Sequence, residues 1–575
     1  MRTAIRVGAI LCFCLALAAP GDTGASPSAE SSRESVLLRA MQEELNRSLA
    51  GFKSKGDPAP YFLSYAVTEE HSVEISASYG AIKASSNEKS RRLDVDVRVG
   101  DYRLDNSHRL RGDRFQFSFD YPRPVDLPIE DDPAAIKAGL WLETDKRYKA
   151  AVERLIEVKA NQAVMVKEED ESDDFSREEP ARFVAPTVKI SPDVPRWERR
   201  LRDYSALFKK FPEIYESAVS LFADATNKYL ANSEGTVLQH GRTHWRLWLT
   251  ARTKAEDGMD LYLYESFDVL SPEDLPDDRK VEEASERLAR NLLALRNAPT
   301  IEPYTGPAIL SGRAAGVFFH EIFGHRIEGH RQKDEMEGQT FTKKVGQPVL
   351  PSFVSVYDDP TQARSGKIDL NGYYRFDDEG VPAQRVAVVE KGILKSFLMS
   401  RSPIAGFPKS NGHGRRSPGF RPVGRQGNLI VEATESVTEE RLREMLIEEC
   451  RKQDKPYGLI FKEISGGFTF TGRTIPQAFQ VTPLLVYRVH TDGRPDELVR
   501  GVDLIGTPLV SFSKILAAGR DTEVFNGYCG AESGSVPVAA VSPSILVSEI
   551  EIQKKEKSTE RPPLLPPPTK PGKED

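Results

Sequence analysis

The chain has 575 residues, 39% of them hydrophobic, which is enough apolar material for two or three packed domains. Its formal net charge of −7 argues against a general nucleic-acid binder, which usually shows a basic face, so no nucleic-acid partner is expected.

Met1 to Pro20 opens with Arg2 and Arg6, continues as an apolar run from Val7 to Ala19, and carries Ala16-Leu17-Ala18 as a small-x-small cleavage site. This is the layout of a secretory signal peptide, too short for a spanning helix. It implies export to a periplasmic or extracellular location. After cleavage only Cys450 and Cys529 remain, and an exported chain with two cysteines can pair them.

The spacing of Leu37, Leu38, Met41, Leu45 and Leu49 predicts an amphipathic helix, and strict alternation from Arg92 to Val99 predicts a half-buried strand. Helical periodicity returns around Tyr148, Ala151, Val152, Leu155 and Ile156. Glu168 to Glu179 then holds eight acidic residues against one arginine, and this acidic segment, about 167–180, reads as a solvated linker or mobile loop. Lys228 to Glu265 reads as a meander that turns first at Asn232-Ser233-Glu234-Gly235. His240 and His244 fall on one of its strands, where they stand ~13 Å apart along the chain and cannot share an ion. Glu282 to Arg296 reads as a helix, and Pro299 and Pro303 mark a domain boundary.

The chemistry-bearing stretch runs from Ser311 to His330. His320 and His325 enclose Glu321 in an H-E-x-x-x-H pattern after an apolar helical run, which is the order of parts in a metal-dependent hydrolase. In a regular helix the second histidine would lie ~140° round from the first, so we expect a single π-type turn, eased by Gly324, to realign the two. Glu321 is then the general base acting on metal-bound water, and Glu328 orients a ligand. His330 reads as a rim residue. Arg415 and Arg416 are candidates for holding a substrate carboxylate or backbone.

Beyond this stretch the texture is mostly β: a hairpin over Arg385 to Leu398 turning at Lys391-Gly392, then strands at Gln480 to His490, Val499 to Leu504 and Ser544 to Ile552. Cys450 sits on an amphipathic helix as a half-buried structural residue, whereas Cys529 lies in a glycine-bracketed turn, where backbone can approach an ion. From 554 to 575 the chain is a disordered Pro/Lys-rich tail. The fold class is α+β, with an N-terminal α/β domain of mixed strands and helices over 36–298. A mainly antiparallel β domain carrying the metal-binding helix follows over 304–553.

Gly-His-Arg-Ile-Glu-Gly-His-Arg around His325 resembles the TldD/PmbA family of metallopeptidases, historically labelled modulators of DNA gyrase. Phe376-Asp377-Asp378-Glu379-Gly380-Val381-Pro382, Asn411-Gly412-His413-Gly414-Arg415-Arg416, Gly527-Tyr528-Cys529-Gly530 and Ser535-Val536-Pro537-Val538 follow in matching order. The resemblance is strongest from about Thr305 to Ile552. It implies a Zn²⁺ site made of His320, His325 and Cys529, the catalytic type of subunit, and a homodimer or a heterodimer with a related subunit. It also implies hydrolysis of unfolded peptides, although export sets this chain apart from cytoplasmic family members. The alternative reading is a non-catalytic peptide-binding or assembly subunit, and a third is a metal-dependent hydrolase of something other than peptides.

Overall fold

The computed structural model describes residues 34–110, 124–164, 170–334, 336–473, 479–506 and 508–555, with a few tail positions between 560 and 568. The export signal expected at 1–20 lies outside the described residues, as does most of the tail. No described helix is long and apolar enough to cross a membrane.

The N-terminal lobe is built on a seven-stranded sheet that includes a long hairpin, Pro60–Ser78 against Ala81–Val99. Glu216–Asn232 pairs antiparallel with the first of these strands, and Val237–Lys254 and Asp260–Val269 continue the sheet. Because side chains alternate across a strand, one set (Leu63, Tyr65, Val219, Leu221, Leu247 and Leu249) is buried beneath four helices, Val36–Lys55, Pro133–Val164, Val194–Ala206 and Asp278–Asn297. The other set faces the C-terminal lobe. Arg242 donates to Asn371 O (2.8 Å) and Oδ1 (2.9 Å), Lys228 pairs with Asp378, and Asp94 accepts the Gly419 N–H at 2.8 Å. His240 and His244 stand on this same face of Val237–Lys254, where they pack on Phe376 and bond Asp268 respectively. Their role is structural.

The acidic segment is not a mobile loop over its described part. Phe175 is 2% exposed, sandwiched between the guanidiniums of Arg98 and Arg401 at 3.7 and 3.8 Å from its ring centre. Asp170 accepts the Ala405 N–H and Glu178 the Ser410 N–H, both at 2.9 Å, and Ser176 N donates to Arg401 O at 2.8 Å. The carboxylates that suggest solvation are acceptors for backbone amides, and the segment straps the two lobes together.

The C-terminal lobe begins with Tyr304–Leu310. This strand pairs in parallel with Tyr457–Thr469 and antiparallel with Gly534–Lys554; Val502–Gly506 and Phe479–His490 complete a ring of five strands within an eleven-stranded sheet. The Lys391-Gly392 turn forms as expected, with φ of 48° and 79°. The helix Gly312–Ile322 inserts Ala315, Phe318, Phe319 and Ile322 into the main apolar core, beside Phe461, Phe479, Phe512 and Ile545. Its position between core and sheet fixes where its last turn ends.

Candidate metal centre

Ser311 caps this helix by accepting the Ala314 N–H at 3.4 Å. The expected π-type turn does not form. The helix stops at Ile322, and Gly324–Ile327 winds as a tighter 3₁₀ turn. The cause lies in its orphan carbonyls: Arg326 Nη1 donates to Ile322 O (2.9 Å) and Glu321 O (3.4 Å), while Gln426 Nε2 donates to His320 O at 3.3 Å. With those acceptors met by side chains, the backbone is free to turn, and it brings the His325 ring to 5.2 Å from that of His320. Gly324 is required because a Cβ there would lie 1.9 Å from Gln426 Oε1.

Cys529 reaches the same place from 204 positions further along the chain than His325. It does not lie in a turn: it belongs to the strand Ile515–Ala531, opposite Val536, and the reversal comes after Ala531. Gly527 and Gly530, which read as turn residues, are strand residues here. Both Cys450 and Cys529 are free thiols, so no bond between them uses up Cys529. Its Sγ lies 3.3 Å from His325 Nε2, and one donor atom from each of His320, His325 and Cys529 falls within 4.8 Å of the others. Metal–sulfur and metal–nitrogen bonds of ~2.3 and ~2.0 Å at a tetrahedral angle separate the two ligands by ~3.5 Å, so the residues fit a zinc ion. Three donors of this kind are what a catalytic zinc site uses, keeping a fourth position open.

Burial opposes charge at the Cys529 thiol, but the imidazoles of His325 and His320 outweigh it and hold the thiol well below its ordinary range. Burial likewise works against His325, whose pKa the Cys529 and Glu328 charges nevertheless raise well above the usual value. Protons and a divalent cation are interchangeable partners for such a thiolate. Glu321, next to His320, is buried, and its carboxylate makes no hydrogen bond or ion pair among the described residues; a Cβ on Gly467 would approach its Cγ to 3.2 Å.

Glu328 is fully buried, 3.3 Å from His325 Nδ1, and accepts from Arg331 Nε at 2.8 Å. Burial pushes its carboxyl up, but His325 and Arg331 bring it down to about 2. A second acid–imidazole group, Glu328, His330 and Glu532, is closed by Arg331, which bonds both carboxylates at 2.8 Å, and so works as an ion-pair network. His330 is half-buried against Glu532. Arg415 and Arg416 do not present free charge for a substrate. Arg415 donates to Gln426 O at 2.5 Å and lies over Tyr374, and Arg416 pairs with Asp94 of the other lobe at 3.0 Å. The sequence reading missed Arg425 and Gln426, and their glycine bracket, Gly424 and Gly427, was the available signal.

Residues 303–554 match the PmbA/TldA metallopeptidase C-terminal domain. A metalloprotease of Methanothermobacter thermautotrophicus is 27% identical over 343 residues, 58% of this chain and 69% of that one. A zinc metalloprotease TldD homolog of Saccharolobus solfataricus is 24% identical over 43% of this chain, which spans about half (51%) of its length. The crystal structure of TldE from Thermococcus kodakarensis shares the fold at a TM-score of 0.58 and 16% identity, covering 89% of this chain and 100% of that one. The matched domain and the relatives agree that residues 303–554 of this chain are similar to the TldD/PmbA metallopeptidases, and the shared architecture shows the same fold over most of the chain.

Proposed function

We propose that the chain is a zinc-dependent peptidase acting on unstructured peptides, with His320, His325 and Cys529 holding the ion and Glu321 as general base. The observation that carries this reading is the meeting of those three donors, Cys529 lying 204 positions from the His325 it contacts, beside a buried carboxylate with no partner among the described residues. Metalloprotease relatives support the reaction class, and one named a zinc metalloprotease supports the ion. Bound there, zinc would polarise the scissile carbonyl and acidify water. Glu321 accepts the proton from the attacking water and returns it to the leaving amine. Glu328 fixes the orientation of His325 through Nδ1.

The preference for unstructured substrates rests on the strand Ile515–Ala531, which pairs with Gly534–Lys554, is bridged to Val437 at Gly519, and has Gly527 O and Cys529 O taken by Asn371 Nδ2 and Arg425 Nη2, leaving the stretch between Gly519 and Gly527 without a further strand partner among the described residues. An extended peptide can add there by main-chain hydrogen bonds, which a folded domain cannot offer. An export signal at 1–20 would make peptides outside the cytoplasm the pool, and a second subunit of the same family is the proposed partner.

The test is a single protein presented folded and then unfolded by a destabilising mutation. The zinc-loaded chain is expected to cleave only the unfolded form. Equal rates on both forms would overturn the strand-addition reading, and failure to cleave any peptide would favour the non-catalytic subunit.

A further inference from the structure

We propose that the dipeptide Arg425-Gln426 is the positioning element that sets all three donors of the metal centre in register. This rests on reading His320, His325 and Cys529 as a metal site, and it adds residues to that site that touch neither substrate nor ion.

The three donors stand on separate supports: the last turn of a helix, a four-residue 3₁₀ turn and the end of a strand. None of these supports fixes the other two. Arg425, fully buried, reaches two of them. Its Nη2 donates to Cys529 O at 2.7 Å, and its Nη1 to Ser533 Oγ at 2.7 Å and Gly534 O at 3.2 Å, so the guanidinium grips the strand end and the reversal after it. On its other side Nε lies 3.3 Å from Glu328 Oε1, an ion-pair contact without hydrogen-bond alignment, and Glu328 in turn meets His325 Nδ1. Gln426 supplies the third link through His320 O.

The dipeptide is itself rigidly held. Arg425 N donates to His413 O at 2.9 Å, Gly427 N donates to Asp358 Oδ1 at 2.9 Å, and His413 Nε2 lies 3.1 Å from that same oxygen. A planar fork with fixed donor directions can serve two supports at once, which a lysine's single ammonium cannot. The chain thus places one short segment where it can transmit a common geometry to helix, turn and strand.

The experiment loads the full chain with cobalt(II). Affinity is read by chelator competition, and the donor set by the thiolate-to-cobalt charge-transfer band, with the unfolding midpoint of the metal-free protein as a control. Loss of an outer partner typically costs ~10- to 100-fold in metal affinity. Arg425→Met and Arg425→Lys are both expected to fall in that range with a weakened or shifted band, and Gln426→Ala to weaken affinity while leaving the sulfur band in place. Should Arg425→Met not fold, Ser533→Ala, which removes one anchor of the fork, is expected to shift the band as well. Parental affinity and an unshifted band in the folded variants would overturn the proposal. A parental chain that binds no cobalt would overturn the metal-site reading, and this proposal with it.

Discussion

Cys529 Sγ lies 3.3 Å from His325 Nε2, although the two residues are 204 positions apart. One arrives on the strand Ile515–Ala531 and the other on the 3₁₀ turn Gly324–Ile327, and both are buried. A thiol in apolar surroundings would normally stay protonated. Here the neighbouring imidazoles reverse that tendency, and the result is a donor set suited to a divalent ion.

Glu321 carries the general-base role in this account. Glu321→Gln preserves its shape beside Gly467 but removes the proton acceptor, so peptide cleavage should fall ~10²- to 10⁴-fold with bound zinc unchanged. Measuring both on the same preparation separates the base from the ion. Parental turnover in this variant would make Glu321 a structural residue.

Gly324→Ala tests the turn that realigns the histidines. The new Cβ meets Gln426 Oε1 at 1.9 Å, and Gln426, 1% exposed, has little room to move. We expect a loss of about 1–3 kcal/mol in stability, as for overpacked cores, together with weaker metal binding. The double variant with Gln426→Ala should recover part of the stability, since the clash partner is gone. Denaturant titration of the three proteins decides the point.

How much of this was legible in the sequence follows from how local each feature is. The amphipathic run that buries Phe318 and Phe319, the strand alternation at Leu93 to Val99 and the Lys391-Gly392 reversal depend on near neighbours, and the structure shows each of them. The 3₁₀ turn at Gly324 depends on Gln426, about a hundred residues away, so periodicity alone suggested a π-type turn instead. Gly527 and Gly530 suggested a turn at Cys529, because nothing local reveals that Val536 pairs opposite it. Among the carboxylates of 168–179, the one aromatic residue, Phe175, decided the outcome by inserting between two arginines.

Arg401 makes that last point testable. It is 2% exposed and binds Glu234 at 2.7 Å and the Ser176 carbonyl, which anchors the acidic strap. Arg401→Met leaves Glu234 without its cation, and a cost of about 3 kcal/mol is expected, the low end for a broken buried pair because Glu234 keeps 16% exposure. Limited proteolysis within 170–180 should accelerate in the variant. An unchanged digestion pattern would restore the mobile-loop reading.

His240 predicts a pH dependence of stability. Burial, reinforced by Lys228, lowers its pKa from 6.5 to about 4. The unfolded chain therefore takes up a proton near pH 6.5 that the folded chain refuses until about pH 4, so this contribution is complete above 6.5 and is lost as pH falls through that window. Between pH 6.5 and 5 the parent should lose up to about 2 kcal/mol more than His240→Gln. Parallel stability curves for the two proteins over that range would refute the assignment.

A single ion held by His320, His325 and Cys529 has a defined signature in X-ray absorption at the zinc edge of the loaded chain. One sulfur at ~2.3 Å and two imidazole nitrogens at ~2.0 Å are expected, with the sulfur contribution absent in Cys529→Ala. A zinc environment of nitrogen and oxygen alone in the parent chain would contradict this ligand set.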